Sequence, residues 1–356
     1  MAKFMTHFLQ DVLRQPNEIE RVIDHFCNES RTTLDRAEKA IRNASHVYLT
    51  GIGSSWHAAL NARSIFHEGG FPVHAQDAAD LLHFVTLAEN SVIIMISRSG
   101  RSAEIIKLLA KARESKAAVI GITNTADGPL ACEAEVPIVV SVNFDHAISV
   151  NTYSSLSAAA CMLASSVIGT LDSSLVASLL RGVSDAARAM PDWQEQLSVS
   201  RWPVSRPVCY FLARAPSLGS CLEARLLWEE GVKLPATALG TGSFRHGPQE
   251  VVAKDMRFAL WIEGRRMRRQ DLAVALDLRQ LGACVMLIGQ GLPEDGGHLV
   301  FQLPPIPPEW QFLTDIIPMQ LTADHMAQLS GGDCDSFRIC RYIVEDESGL
   351  LHEGNM

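Results

Sequence analysis

The chain has 356 residues, of which 47% are apolar and 20% charged, and it carries a net charge of -9 at pH 7. The length predicts about two domains, and the apolar content excludes a disordered chain. The acidic balance argues against a nucleic-acid binder, which needs a basic face to neutralise phosphates. It is compatible with a small anionic substrate bound at one positive site.

The longest uncharged stretch, residues 147–171, is rich in Ser and Thr, which favours a buried helix over a membrane span. Eight cysteines are scattered without C-x-x-C spacing, a pattern typical of reduced core cysteines in a cytoplasmic protein. The N-terminus lacks a signal-peptide pattern. Asp, Glu and His do not cluster at ligand spacing, so we expect neither a metal nor a cofactor.

The first half of the chain alternates helices with short apolar strands. Residues 1–34 are predicted to be a helical segment, with an amphipathic run that opens at Asn17. Residues 35–171 are predicted to be the first domain, because apolar strands that alternate with helices indicate a parallel sheet covered on both faces. Its predicted strands are 47–49, 91–96, 118–122 and 136–140, and its predicted helices are 56–67, 103–113 and 152–170.

The second half repeats this order. A helical connector at 172–204 is predicted to break at Pro191 and Pro203, before a second domain at 205–340 and a tail at 341–356. The predicted strands are 208–213, 257–262, 284–288 and 298–303, and the predicted helices are 218–231, 269–281 and 310–329. Residues 53–69 and 215–231 align at one constant spacing, which indicates duplication. We therefore expect an α/β chain of two sister domains.

A glycine-rich turn, Thr50–Trp56, follows the first predicted strand and opens a helix. Gly53 permits a tight turn and a close ligand approach, and the amides at a helix start attract an anion. Ser54 and Ser55 add hydroxyl donors. Turns of this type are common, so this one alone leaves a structural and a functional reading open. It is not a dinucleotide fingerprint, because Trp56 replaces the third glycine.

The turn Ser97–Ser102 also joins a strand to a helix, and it holds three serines, two arginines and a glycine. A helix cap would need only one serine. A phosphate cup explains the excess, because hydroxyls, amides and a guanidinium all donate to such a group. The corresponding turns of the second half, at 213–216 and 263–266, lack these features. The first half is therefore predicted to hold the phosphate and the second to have another task.

Four motifs follow one another along the chain: Gly53–Ser55, Ser97–Ser102, the glutamates of the helix Leu222–Gly231, and Arg245–Pro248. Together they resemble the double sugar-isomerase (SIS) domain proteins, including the isomerase half of glucosamine-6-phosphate synthase and the fructosamine- or glucosamine-type 6-phosphate deglycases. The resemblance extends from about Asp35 to Glu345. It implies two tandem SIS domains, each a parallel sheet flanked by helices, and a sugar-phosphate ligand.

The resemblance also implies roles for individual residues. The residues implied to bind the phosphate are Ser55, Ser97, Arg98, Ser99 and Ser102, where Arg98 replaces a usual glutamine. The residues implied to lie beside the sugar are Gly53, Ser54, Ser149 and Thr152. From the sequence alone, Glu230 reads as a solvated helix end and His246 as a surface histidine. By resemblance Glu230 is the enolisation base, and His246 opens the sugar ring from the neighbouring subunit of a homodimer.

Three departures from the synthase bear on the reaction. The printed chain contains no glutaminase domain, Leu227 stands in place of a lysine, and the tail at 338–345 lacks the lysine that engages the open sugar. An amine that attacks a ketose carbonyl is therefore missing. We expect a deglycase that splits a 6-phosphorylated sugar–amino acid adduct through an enolamine into sugar 6-phosphate and free amine. The alternatives are an aldose–ketose or deaminating isomerase and a non-catalytic sugar-phosphate sensor.

Overall fold

The computed structural model describes residues 5–28 and 30–350, which divide into two compact units. The first unit comprises Glu18–Asp172 together with the described residues after Asp335. The second unit comprises Ser173–Asp335 together with the described residues before Glu18. Each unit contains one parallel five-stranded sheet with helices on its faces, so the expected α/β fold is confirmed.

The sheet of the first unit has the strand order β2-β1-β3-β4-β5. Its strands are β1 (His46–Thr50), β2 (His74–Ala75), β3 (Ser91–Ser97), β4 (Ala118–Thr123) and β5 (Val136–Val139). Its helices are α2 (Arg31–Asn43), α3 (Ser54–Glu68), α4 (Ala78–Phe84), α5 (Ala103–Glu114), α6 (Pro129–Glu133) and α7 (Asn151–Ile168). The sequence had not indicated β2, α4 and α6.

Helix α1 extends over His7–Asn28 and contains Pro16. The expected opening of an amphipathic helix at Asn17 is therefore wrong, because that residue lies inside α1. The apolar residues Val12, Ile19 and Val22 on both sides of the proline are buried. Their shared burial holds the helix together although Pro16 removes one backbone donor.

Both faces of the first sheet are buried, which explains its continuous apolar strands. Tyr48, Ile93 and Met95 belong to a core cluster that also contains Ile105 and Leu108 of α5. Helices α3 and α7 pack against each other. Within that pair the Asn61 amide donates to the Tyr153 hydroxyl at 3.1 Å, a fully buried hydrogen bond.

The sheet of the second unit has the order β10-β9-β8-β6-β7. Its strands are β6 (Cys209–Ala213), β7 (Ala236–Gly240), β8 (Arg257–Trp261), β9 (Cys284–Gly289) and β10 (Leu299–Gln302). Its helices are α8 (Ser173–Val199), α9 (Leu218–Leu227), α10 (Thr241–Phe244), α11 (Arg268–Gln280), α12 (Phe312–Asp315) and α13 (Ile317–Ser330). Read from its opposite edge, the order is β7-β6-β8-β9-β10, which matches the order of the first sheet strand for strand, as the internal repeat predicts.

Two predictions for the second unit are wrong. Helix α8 continues through Pro191, because the buried Leu179, Val183 and Trp193 keep one face of the helix in the core on both sides of it. The helix predicted over 218–231 is α-helical only to Leu227, and a π-helical turn, Trp228–Val232, follows. Strand β7 and helix α10 were not predicted.

In each sheet the direction of winding reverses between two neighbouring strands. These are β1 and β3 in the first unit and β6 and β8 in the second. Open α/β sheets bind ligands in the crevice at the carboxyl ends of such strands. The turns Thr50–Trp56 and Ser97–Ser102 follow β1 and β3 and therefore lie at the reversal point of the first sheet.

Candidate functional site

The turn after β1 has a backbone that requires glycine at two positions. A Cβ on Gly51 would lie 2.6 Å from the carbonyl group of Ser55. Gly53 has a φ of 57° and a ψ of -131°, a region that other residues avoid. The turn places Ser55 at the start of α3, where its side chain is buried, and leaves Ser54 half-buried. A ligand can thus approach the first amides of α3 closely.

The turn after β3 is held by its own serines. The Ser97 hydroxyl accepts the Gly100 N–H at 3.1 Å, and the Ser99 hydroxyl accepts the Arg101 N–H at 3.1 Å. Ser97 and Ser99 are buried. A hydroxyl that accepts from the backbone keeps its own proton for another acceptor. Each serine therefore retains a hydroxyl proton that can be donated at the start of α5.

A second layer of contacts fixes this turn from behind. The Arg98 carbonyl accepts three hydrogen bonds at 3.1 Å, from the Thr123 hydroxyl, the backbone N–H of Asn124 and the Thr125 hydroxyl. A Cβ on Gly128 would lie 2.6 Å from the Ser99 carbonyl oxygen. The turn is thus rigid before any ligand arrives, which lowers the entropic cost of binding.

The Arg98 guanidinium is held by the tail of the chain. Its central carbon lies 3.8 Å above the centre of the Tyr342 ring, and it donates to the Tyr342 carbonyl. The Tyr342 hydroxyl donates to the Asp145 carbonyl at 3.1 Å. The sequence predicted Arg98 at the phosphate and gave no role to Tyr342. The available signal was that Tyr342 is the only Phe, Tyr or Trp in residues 341–356.

The predicted sugar loop, Ser149–Thr152, is organised by Asp145. Its carboxylate accepts the backbone N–H groups of Val150, Asn151 and Thr152 at 2.8–3.1 Å. This buried carboxylate therefore caps the start of α7. It fixes the loop at which Thr152 is fully buried and Ser149 half-buried.

Several buried hydroxyls of the first unit lack a hydrogen-bond partner among the described residues. They are Thr50 Oγ1, Thr152 Oγ1, Ser155 Oγ and Ser165 Oγ. Thr50 ends β1, Thr152 and Ser155 lie in the first turns of α7, and Ser165 lies near its end. Buried polar atoms without a protein partner are uncommon in folded proteins and are satisfied by ordered water or by a bound molecule.

Glu230 lies in the π-helical turn that follows α9. In this turn the Lys233 N–H donates to the Trp228 carbonyl at 3.2 Å, across five residues. Such turns occur frequently at functional sites. Glu230 is half-buried, whereas Glu223 on α9 is fully buried. The neighbouring Glu229 carboxylate lies 3.5 Å from the Arg225 guanidinium.

His246 follows α10 on an exposed turn. Its N–H donates to the Ser243 carbonyl at 3.1 Å, and Gly247 has a φ of 124°. Glu230 and His246 belong to the second unit, and every predicted phosphate and sugar residue belongs to the first. This allocation follows the division of tasks that the sequence predicts.

Residues 40–166 match the family model of the SIS domain. The chain therefore contains a SIS domain. The matched part contains both glycine–serine turns of the first unit. Of the groups of His, Cys, Asp and Glu within residues 5–28 and 30–350, none is arranged to hold a metal ion. No helix in that part of the chain is long and apolar enough to cross a membrane.

A glutamine–fructose-6-phosphate aminotransferase [isomerizing] from Geobacillus kaustophilus is 24% identical over 352 residues, which cover 93% of this chain and 57% of the relative. The chain thus spans little more than half of the curated relatives it matches.

Solved structures confirm the tandem SIS fold over most of the chain. The C-terminal domain of glucosamine-fructose-6-phosphate aminotransferase from Francisella tularensis has a TM-score of 0.82 at 18% identity and covers 93% of this chain and 98% of its own. Glucosamine-6-phosphate deaminase from Thermotoga maritima has a TM-score of 0.79 at 21% identity, and the match covers 95% of this chain and 99% of that one. Tagatose-6-phosphate ketose/aldose isomerase from Escherichia coli has a TM-score of 0.79 at 18% identity, and the match covers 94% of this chain and 96% of that one.

Proposed function

We propose that this SIS-domain protein is an enzyme that moves a proton between C1 and C2 of a 6-phosphorylated sugar. The observation that carries the proposal is the rigid turn after β3. It presents Ser97 and Ser99 at the start of α5, where the helix dipole favours a phosphate. Relatives and structural neighbours named for phosphosugar reactions support the same class of substrate.

In this proposal the first unit binds and the second reacts. Ser55, Ser97, Ser99 and Ser102 donate to the phosphate, and the buried Thr152 hydroxyl bonds to the sugar. Gly53 and Ser54 admit the ligand to the first turn, and Ser149 borders it. Arg98 adds positive charge at the edge of the cup, beside Tyr342.

Glu230 is proposed as the base and His246 as the group that opens the ring. For an adduct with nitrogen at C1 and a ketone at C2, Glu230 removes a proton from C1 to give an enolamine. Glu230 then returns the proton to C2, and the product is an imine at C1. Water adds to C1 and the amine leaves, which yields sugar 6-phosphate and free amine. Proton transfer of this kind contributes about 10²–10⁴-fold to a rate.

The deglycase is favoured by the residue at the end of α9. Leu227 is fully buried in the core, and the nearby Lys233 ammonium donates to the Glu230 carbonyl. Neither supplies a free amine to attack a ketose carbonyl. A substrate that already carries nitrogen needs no such amine.

The test is an endpoint assay with 6-phosphorylated fructosamine and glucosamine-type amino-acid adducts. Matched release of hexose 6-phosphate and amine, lost in Glu230→Gln, supports the deglycase. Release of ammonia from glucosamine 6-phosphate, or interconversion of aldose and ketose phosphates, supports the isomerase that the structural neighbours favour. Binding without turnover of any candidate supports a sensor and contradicts an enzyme.

The exposed position of His246 supports a homodimer in which it acts on the partner subunit's substrate. Co-expression of Glu230→Gln with His246→Ala tests this directly. Mixed dimers then hold one site with both groups intact, and activity that neither parent shows is expected. Absence of activity in purified mixed dimers contradicts donation across the interface.

A further inference from the structure

The π-helical turn Trp228–Val232 packs against the segment that ends α13. Gly331 has a φ of 72° and ends the helix, and the N–H of Gly332 donates to the Ala327 carbonyl at 2.9 Å. This backbone path brings Gly332 directly against the turn. A Cβ on Gly332 would lie 2.6 Å from the Val232 oxygen and 2.8 Å from the Gly231 oxygen.

These two oxygens belong to the backbone immediately after Glu230. Gly231 and Val232 are buried, and helix α13 packs against the turn. An approach of 2.6 Å is closer than any carbon can tolerate. A side chain at position 332 must therefore displace the π-helical turn or the segment after α13.

Lys233 holds the same turn from its other end. It adopts the left-handed conformation at a φ of 62°, in which glycine or asparagine is usual. Its ammonium donates to the Glu230 carbonyl. This contact satisfies a carbonyl at the end of the turn and opposes the negative end of the helix dipole.

We propose that Gly332 and Lys233 are positioning residues that fix Glu230 for proton transfer. The proposal rests on the function proposed above, in which Glu230 is the base. The absent side chain at position 332 lets the backbone support the turn at contact distance, and the Lys233 ammonium ties down the Glu230 peptide. Proton transfer depends on the carboxylate's position within a fraction of an ångström.

The adjacent glycines offer a matched pair of variants. In Gly331→Ala the new methyl meets no atom within 4 Å, so only the positive φ is strained. In Gly332→Ala the methyl presses on the π-helical turn. We expect Gly331→Ala to lower the melting temperature and keep kcat. We expect Gly332→Ala to lower kcat by about 10–100-fold with KM unchanged.

A second variant covers the case in which Gly332→Ala does not fold. Lys233→Gly removes the ammonium and relieves the strained φ, so the melting temperature should hold while kcat falls several-fold. In a Glu230→Gln background neither substitution should lower the residual rate further. Equal kcat values for Gly331→Ala and Gly332→Ala, or an unchanged kcat in Lys233→Gly, overturn the proposal.

Hydrogen–deuterium exchange distinguishes failure of the positioning role from failure of the proposed function. Faster exchange at 229–233 in Gly332→Ala, but not in Gly331→Ala, supports the positioning role of Gly332 whatever reaction the protein catalyses. Unchanged exchange overturns that role. Wild-type turnover in Glu230→Gln instead removes Glu230 as the base and leaves the exchange result standing.

Discussion

The turns after β3 and β8 occupy the same place in two sheets of the same topology, but their backbone N–H groups have different hydrogen-bond partners. In the first unit the Ser97 and Ser99 hydroxyls accept two N–H groups of the turn that is the proposed phosphate site. In the second unit the Glu263 carboxylate accepts the N–H groups of Arg265, Arg266 and Met267 at 3.1, 2.5 and 2.7 Å. The chain's own carboxylate thus occupies the place that corresponds to the proposed phosphate site of the first unit.

This difference shows how a duplicated fold divides its tasks. The Arg214 guanidinium, which follows β6, pairs at 2.7 Å with the buried Asp271 of α11, and the Glu263 N–H donates to that carboxylate at 3.3 Å. The arginine at the crevice of the second sheet is therefore already paired with a carboxylate of its own unit. In the proposed function the second unit contributes Glu230 instead.

The largest expected effect is at Glu230. Glu230→Gln should reduce turnover by about 10²–10⁴-fold, because an amide cannot carry the proton. Binding of sugar 6-phosphate should persist, since the first unit supplies the phosphate donors. Glu229→Gln is the control on the same turn and should stay active. Comparable losses in kcat for both variants, with calorimetric binding intact, would remove the special role of Glu230.

A second effect belongs to the core of the second unit alone. Full burial raises the pKa of the Asp315 carboxyl from 3.8 to about 6. The neighbouring hydroxyls of Ser217 and Ser220 and the Gln311 amide lower the pKa, but by less than burial raises it. The raised pKa means that the folded state favours the neutral acid. Stability is therefore lost as the pH rises from about 4 through 6, and the full penalty is roughly 3 kcal/mol above that range.

Asp315→Asn removes this charge. The variant's unfolding free energy should exceed that of the wild type most at pH 7.5 and least at pH 4, as measured by chemical denaturation. A difference between the two proteins that is independent of pH contradicts the assignment. The sugar-phosphate affinity of the first unit serves as an internal control and should not change.

The proposed phosphate site in the turn after β3 is tested by Ser99→Ala. A hydrogen bond to a charged group contributes about 1.5–3 kcal/mol, so the Kd for sugar 6-phosphate should rise by about 10-fold or more. Ser115→Ala, at the opposite end of α5, is the control and should bind normally. Titration calorimetry with inorganic phosphate as competitor gives both values. Unchanged affinity in Ser99→Ala would place the phosphate elsewhere.

The smallest expected effect is on the stability of the turn after β8, which contains Glu263. Glu263→Ala should cost about 1 kcal/mol of unfolding free energy, as for a lost helix cap. Inorganic phosphate should then restore part of that stability, because three N–H groups become available to it. Glu250→Ala, an exposed carboxylate of the same unit, should gain nothing from phosphate. An identical thermal shift in both variants would show that the two turns differ in more than the carboxylate.

The sequence predicted the features that depend on local chemistry. Apolar strands, the glycines at 51 and 53, and the serines of the turn after β3 are visible because each follows from a few neighbouring residues. The π-helical turn was not predictable, because it depends on the approach of Gly332 from a helix about a hundred positions later. The contact of Arg98 with Tyr342 has the same origin, since 244 positions separate the two residues.

Glu263 and Pro191 show where local patterns mislead. The run of arginines after Glu263 gave no sign that the carboxylate accepts three backbone N–H groups. Pro191 is a helix breaker by propensity, but tertiary burial of one helix face outweighs the single lost hydrogen bond. The roles of all the predicted site residues stay predictions, those of Ser97, Ser99 and Glu230 included.

The central claim is that the first unit holds a sugar phosphate while Glu230 of the second exchanges its proton. The most direct measurement is turnover of fructosamine-type 6-phosphate adducts, fructose 6-phosphate and glucosamine 6-phosphate in deuterium oxide, with mass spectrometry of the sugar. The account predicts deuterium at C1 or C2 with the wild type and none above background with Glu230→Gln. Absence of exchange with the wild type, or equal exchange with the variant, would contradict it.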